Sequence, residues 1–189
     1  RKETSLKTQN NIPMSDINYI HQASVTEFLI LATSICIYLE EMESPLKSEF
    51  IDRMLCDLPV LYTKARQITT TQPQLDGEPE QFVSEFEYNI IREKIAAILG
   101  SDDAYLEVFV EDMRYSDEPI TAFISENIAD IYQELSDLAR NWTINDELVQ
   151  HDALVACIEG FDLHWGQKLL NVLRPLHVLS LAKDENLYD

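Results

Sequence analysis

Residues 125–137 read SENIADIYQELSD, and the periodicity of this stretch decides the fold. Its carboxylates, Glu126, Asp130, Glu134 and Asp137, stand four, four and three residues apart, the spacing of one helix face. At about 100° per residue they fall within about 80° of one another, and Ile124, Ile128, Ile131 and Leu135 lie about 140–200° away on the other side. Polar face and apolar stripe separate cleanly, so the segment is an amphipathic helix with its acids turned away from the core. Like charges at this spacing repel by a few tenths of a kcal/mol per pair, a cost that water and salt screen on a solvated surface.

Helical periodicity continues outward in both directions. FLILATSICIYL (28–39) centres a helix over about 20–42 that is apolar nearly all round, the pattern of a central core helix. A second helix spans about 45–67, with Pro59 placed to kink or split it. TTTQPQLDGEPEQ (69–81) is a loop by its Thr, Pro and Gly content. Ser84 and Glu87 form a capping box that opens a helix ending before Gly100. Ser101 or Asp102 then caps a short helix reaching Met113, and Ser116 to Pro119 restarts a helix that continues to about Asn141. Thr143 or Asn145 opens another through Glu159. Gly160 reads as a break or a close crossing, and Gly166 as a close crossing. The last helix runs to about Leu173, with Pro175 interrupting it. No alternating strand pattern and no internal repeat occurs. The expectation is an all-α, single-domain bundle of about seven helices over residues 14–182. Residues 1–13 are a disordered arm or a remnant of expression, and 183–189 a frayed tail.

Composition narrows the function. Across 189 residues, 34 acids oppose 14 bases for a net charge of −20. Direct binding to nucleic acid or to an anionic membrane needs clustered Lys and Arg, and is disfavoured. The apolar run 28–39 is shorter than the roughly 20 residues of a membrane span and is flanked by Glu27, Glu40 and Glu41. RKETSLKTQNNIP (1–13) has no apolar signal-peptide core, so a cytoplasmic location is expected. Cys36, Cys56 and Cys157 make no CxxC pair and read as buried free thiols.

Two chemistries compete for the acidic stretch. A metal site needs a second wall of oxygen ligands. Asp103, Glu107 and Glu111 repeat at four-residue spacing on the expected short helix, and a helical hairpin through MRYSDEP (113–119) turns the two ladders face to face. Glu107, Glu111, Glu126, Asp130 and Glu134 then make a hard-oxygen set for Mg²⁺ or Mn²⁺. The ExxD of Glu134 to Asp137 and the ExxE of Glu40 to Glu43 resemble the paired acidic motifs of all-α nucleotide pyrophosphatases. Without that meeting of helices, Glu126, Asp130, Glu134 and Asp137 form an acidic face for a partner. Of the histidines, only Glu147 and His151 share helical spacing for one ion, and core or edge histidines are the simpler reading. Trp142 and Trp165 read as core anchors with their N–H groups bonded.

VFVEDMRYSDEP (108–119), SENIADIYQELSDL (125–138) and HWGQKLLNVLRPLH (164–177) together resemble an uncharacterised bacterial family, domain-of-unknown-function family 5063, over about residues 20–180. Pro175 departs from the helix former expected there. The resemblance implies a small all-helical cytoplasmic protein and carries over no activity, cofactor or catalytic residue.

The favoured expectation is a non-catalytic protein without a cofactor that meets a basic protein partner. It rests on the negative field of residues 76–137, with seventeen acids and three bases, which steers cationic partners. The alternative is a divalent-metal hydrolase of a phosphorylated small molecule, the ion activating water.

Overall fold

The computed structural model describes residues 19–69, 71–107 and 120–182. In chain order they form α1 (Ala23–Glu41), α2 (Lys47–Ala65), α3 (Glu85–Leu99), a 3₁₀ turn (Gly100–Asp103), β1 (Ala104–Glu107), β2 (Ile120–Phe123), α4 (Ile124–Trp142), α5 (Glu147–Gly160), a π-turn (Phe161–Trp165) and α6 (Gly166–Leu181). α5, the π-turn and α6 follow one another without a gap, so the described residues make five helical rods and one hairpin rather than about seven helices. The expected arm at 1–13 and tail at 183–189 lie outside the described residues.

The central element is α4, not α1. Ile124, Ile128, Ile131 and Leu135 are buried as the periodicity predicts, and Ala129, Tyr132 and Leu138 are buried as well. α4 packs on α1, α3, α5 and α6. α1 buries a single stripe, Val25, Phe28, Ala32, Ile35, Cys36 and Leu39, and leaves Ile30 and Ile37 exposed. By length and composition it is the one helix among the described residues apolar enough to cross a membrane. The apolar side chains of all five rods join in one cluster, in which Trp165, Tyr132, Phe28 and Phe50 are the largest fully buried groups. Each large apolar side chain buried this way contributes about 1.5–3 kcal/mol.

The capping box at α3 forms as its sequence predicts. Ser84 Oγ accepts from Glu87 N at 3.2 Å, and Glu87 Oε2 accepts from Ser84 N at 2.9 Å. Gly100 ends the helix at φ +60°, a conformation glycine adopts without steric cost. α5 is capped one residue later than expected, by Asp146, which accepts from Leu148 N at 2.9 Å.

The short helix expected from Ser101 to Met113 is corrected at residues 104–107, which are a strand, and its remainder, 108–113, lies outside the described residues. β1 pairs antiparallel with β2, Ala104 opposite Phe123 and Glu107 opposite Ile120. Tyr105, Leu106, Ile120, Thr121 and Phe123 are strand-favouring aromatic, β-branched and apolar residues, and four-residue spacing of acids alone did not reveal this. The helix expected to start near Pro119 begins instead at Ile124. Phe123 offers α4 no capping oxygen. Buried Asp103 reaches over from the 3₁₀ turn and accepts from Ser125 N at 2.8 Å and Ser125 Oγ at 2.6 Å, which meets donors a helix start leaves open.

Neither proline ends a helix. α2 runs through Pro59 and α6 through Pro175. Gly160 marks no break, and Gly166 fits the π-turn: a Cβ there would sit 2.4 Å from the Phe161 carbonyl oxygen.

Candidate functional site

The acidic face of α4 divides three ways. Glu126 is exposed. Asp130 is half-buried and already partnered, accepting from Tyr88 Oη at 2.9 Å and from Lys168 Nζ of α6. Glu134 and Asp137 turn toward the loop before α3 and the C-terminal end of α5. A solvated ladder was the expectation, but the neighbours that α4 gathers as the central helix partly cover three of its four acids.

Glu134 and Asp137 line a cavity of about 410 Å³ together with Glu78, Glu80, Glu159 and His164. The loop wall is held by Asp137, whose Oδ1 accepts from Phe82 N at 2.7 Å and Val83 N at 2.8 Å. Arg140, one turn on, donates to the Phe82 carbonyl at 3.2 Å and to Glu87 Oε1 at 2.8 Å. On the opposite wall Gly160 lets α5 approach α4 closely, since a Cβ there would meet Glu134 Oε2 at 3.0 Å. This is the close crossing its sequence suggested.

The electrostatics of this basin are one-sided. Burial pushes the Glu134 carboxyl above the usual range, Asp137 and Asp130 add to the push, and His164 opposes it. Burial also raises Asp137, against the backbone donors and Arg140. Among the described residues Glu134 has no hydrogen-bond donor. Asn141, 1% exposed, spends its Nδ2 on the carbonyls of Glu80 and Asp137, and its Oδ1 has no partner. The lining carries five carboxylates, Glu78, Glu80, Glu134, Asp137 and Glu159, and no Lys or Arg; its other polar side chains are Gln81, Gln133, Asn141 and His164.

Among the described residues, the metal set suggested by the sequence does not come together. Glu107 stands on β1 and accepts from Asn171 Nδ2, Asp103 caps α4, and Glu111 lies outside the described residues. No group of three His, Cys, Asp or Glu side chains stands close enough to hold an ion among the described residues. Glu147 and His151 also part. Exposed Glu147 accepts from His21 at 3.4 Å, whereas His151 is buried.

His151 belongs to a brace that sequence spacing did not disclose. Its Nε2 meets Thr71 Oγ1 at 2.9 Å and its Nδ1 meets Asp152 Oδ1 at 2.8 Å. Asp152 also accepts from Gln74 N at 2.8 Å and Leu75 N at 2.7 Å, fixing the start of the loop that ends at the basin. Trp165 anchors the core as expected, donating to the Cys157 carbonyl at 2.9 Å, whereas Trp142 is half-buried. Cys36 and Cys157 are buried free thiols, but Cys56 is exposed. Burial raises the Cys36 thiol to about 12 and the Cys157 thiol well above its ordinary value.

Three basin acids, Glu78, Glu80 and Glu159, and His164 were missing from the sequence-based site. Gly160 was the available signal, and the two loop acids carried none.

No curated protein matches the chain. The crystal structure of protein BF1032 from Bacteroides fragilis, a Northeast Structural Genomics Consortium target, is 37% identical, with the match covering 85% of this chain and 94% of that one, at a TM-score of 0.76. At that identity the likeness extends to sequence as well as fold. A family model matches residues 19–182, nearly all of the helical region, and the chain belongs to the family it describes, "Domain of unknown function (DUF5063)".

Proposed function

We propose that this protein is a non-catalytic binding protein whose acidic basin receives a lysine or arginine side chain of a basic protein partner. The observation that carries the reading is Glu134, a half-buried carboxylate raised by burial and by its acidic neighbours, with no donor among the described residues. Such a group is stabilised by an incoming cation, which supplies the positive charge the lining lacks and a donor to Glu134. The wider surface, at a net charge of −20, speeds encounter with cationic partners.

The test is fluorescence anisotropy with an arginine-rich peptide, at low and high salt. Binding that weakens with salt and falls sharply in the double variant Glu134→Gln/Glu159→Gln supports the reading. Glu41→Gln, an exposed substitution away from the basin, should leave binding nearly unchanged. Equal binding by the wild type and the double variant overturns it, as does binding indifferent to salt.

A further inference from the structure

A second cavity, of about 490 Å³, lies between β1 and α6, within the roughly 300–1,000 Å³ of small-molecule sites. Leu170, Arg174 and Val178 recur every fourth residue along α6 and line it, facing Leu106 and Glu107 of β1. Leu106, Leu170 and Val178 are 61%, 43% and 59% exposed, so the apolar walls stand uncovered by the described residues.

The polar groups of this cleft are of both signs. Arg174 has no acceptor among the described residues, although the chain has 34 acids to 14 bases. Asp102, at the cleft edge, is bonded to Lys47. Glu107 takes one donor, Asn171 Nδ2, on Oε1, and its Oε2 has none among the described residues. Asn171, which holds Glu107, precedes Arg174 by three residues, so both positions lie on one side of α6.

An anion entering here meets Glu107, and a cation meets Arg174. A zwitterion suits both. We propose that the cleft between β1 and α6 binds a free α-amino acid with an apolar side chain, its carboxylate on Arg174, its ammonium on Glu107, and its side chain against Leu106, Leu170 and Val178. This site is separate from the acidic basin.

Saturation-transfer NMR and calorimetry with L-leucine test it on the full chain. Two truncated probes accompany leucine: 4-methylpentanoate, which lacks the ammonium, and isoamylamine, which lacks the carboxylate. The expected result is binding of leucine, with each truncated probe weaker by about tenfold or more, as loss of a charge-assisted contact implies. Arg174→Gln and Glu107→Gln should each weaken leucine by a similar factor while circular dichroism and Tm stay those of the wild type. Arg174 is exposed and glutamine preserves an acceptor at 107, so both variants are expected to fold. Absence of leucine binding overturns the proposal. So does a truncated probe that binds as well as leucine, or leucine affinity unchanged in both variants.

Discussion

Replacing Asp137 by alanine and by asparagine separates its structural role from its charge. A single oxygen, Oδ1, accepts both Phe82 N and Val83 N, at 2.7 and 2.8 Å, and Val83 is buried. Asp137→Ala removes the acceptor and leaves two main-chain donors unmet. Hydrogen bonds to a charged group are worth about 1.5–3 kcal/mol each, and two would give about 3–6 kcal/mol. The burial that raises the Asp137 carboxyl offsets part of this, leaving an expected loss of about 3 kcal/mol. Asp137→Asn retains an oxygen in the same place and relieves the repulsion from Glu87, so its expected cost is about 1 kcal/mol or less. Urea unfolding followed by Trp142 and Trp165 fluorescence measures both, read as a shift in midpoint at constant slope. Equal losses for the two variants, or a loss under about 0.5 kcal/mol for alanine, would refute the assignment of Asp137 as the clasp of the loop.

Two further expectations follow from the same geometry. The Glu87 carboxyl is held down to about 2 by Arg140 first and then by Ser84. Its folded value lies below its unfolded one, so its stabilisation is full above about pH 4.5 and is lost as pH falls toward 2. With its side chain 37% exposed, solvent screening limits the effect to about 1 kcal/mol, and the stability gap between wild type and Glu87→Gln should close over that pH range. Gly166→Ala places a methyl 2.4 Å from the Phe161 carbonyl oxygen and should cost about 2–3 kcal/mol. Gly160→Ala meets the movable end of Glu134 at 3.0 Å and Trp165 Cδ1 at an ordinary contact distance of 3.4 Å, so thermal unfolding should separate the two clearly.

What the sequence disclosed and what it concealed follow from the range of each interaction. The stripe of Ile124, Ile128, Ile131 and Leu135 is written in local spacing, and it identified α4 as helical. The fate of the opposite face depended on partners 38 to 55 residues away, Lys168, Tyr88 and the Phe82 and Val83 amides, which no local pattern encodes. Asp103 and Glu107 show the limit of spacing more sharply. Four-residue separation is compatible with a helix face, yet one became a cap for α4 and the other a strand residue. Pro175 reads as a break, and Gly160 as a break or a close crossing, because a lone glycine or proline usually weakens a helix. Here α5 passes into α6 through a π-turn, and both residues lie within one rod.

Asp103, Asp137 and Asp152 share one habit: each accepts at least one main-chain N–H across a long stretch of chain, two in the case of Asp137 and Asp152. The protein thereby carries two populations of acid with different obligations. One belongs to the architecture and tolerates only a replacement that keeps an oxygen in place. The other, on the surface, sets the electric character of the molecule and is free to drift in kind and position. Charge can therefore be retuned at the exposed acids without touching the fold, provided these three aspartates, the capping acids Glu87 and Asp146, and Asp130 are spared.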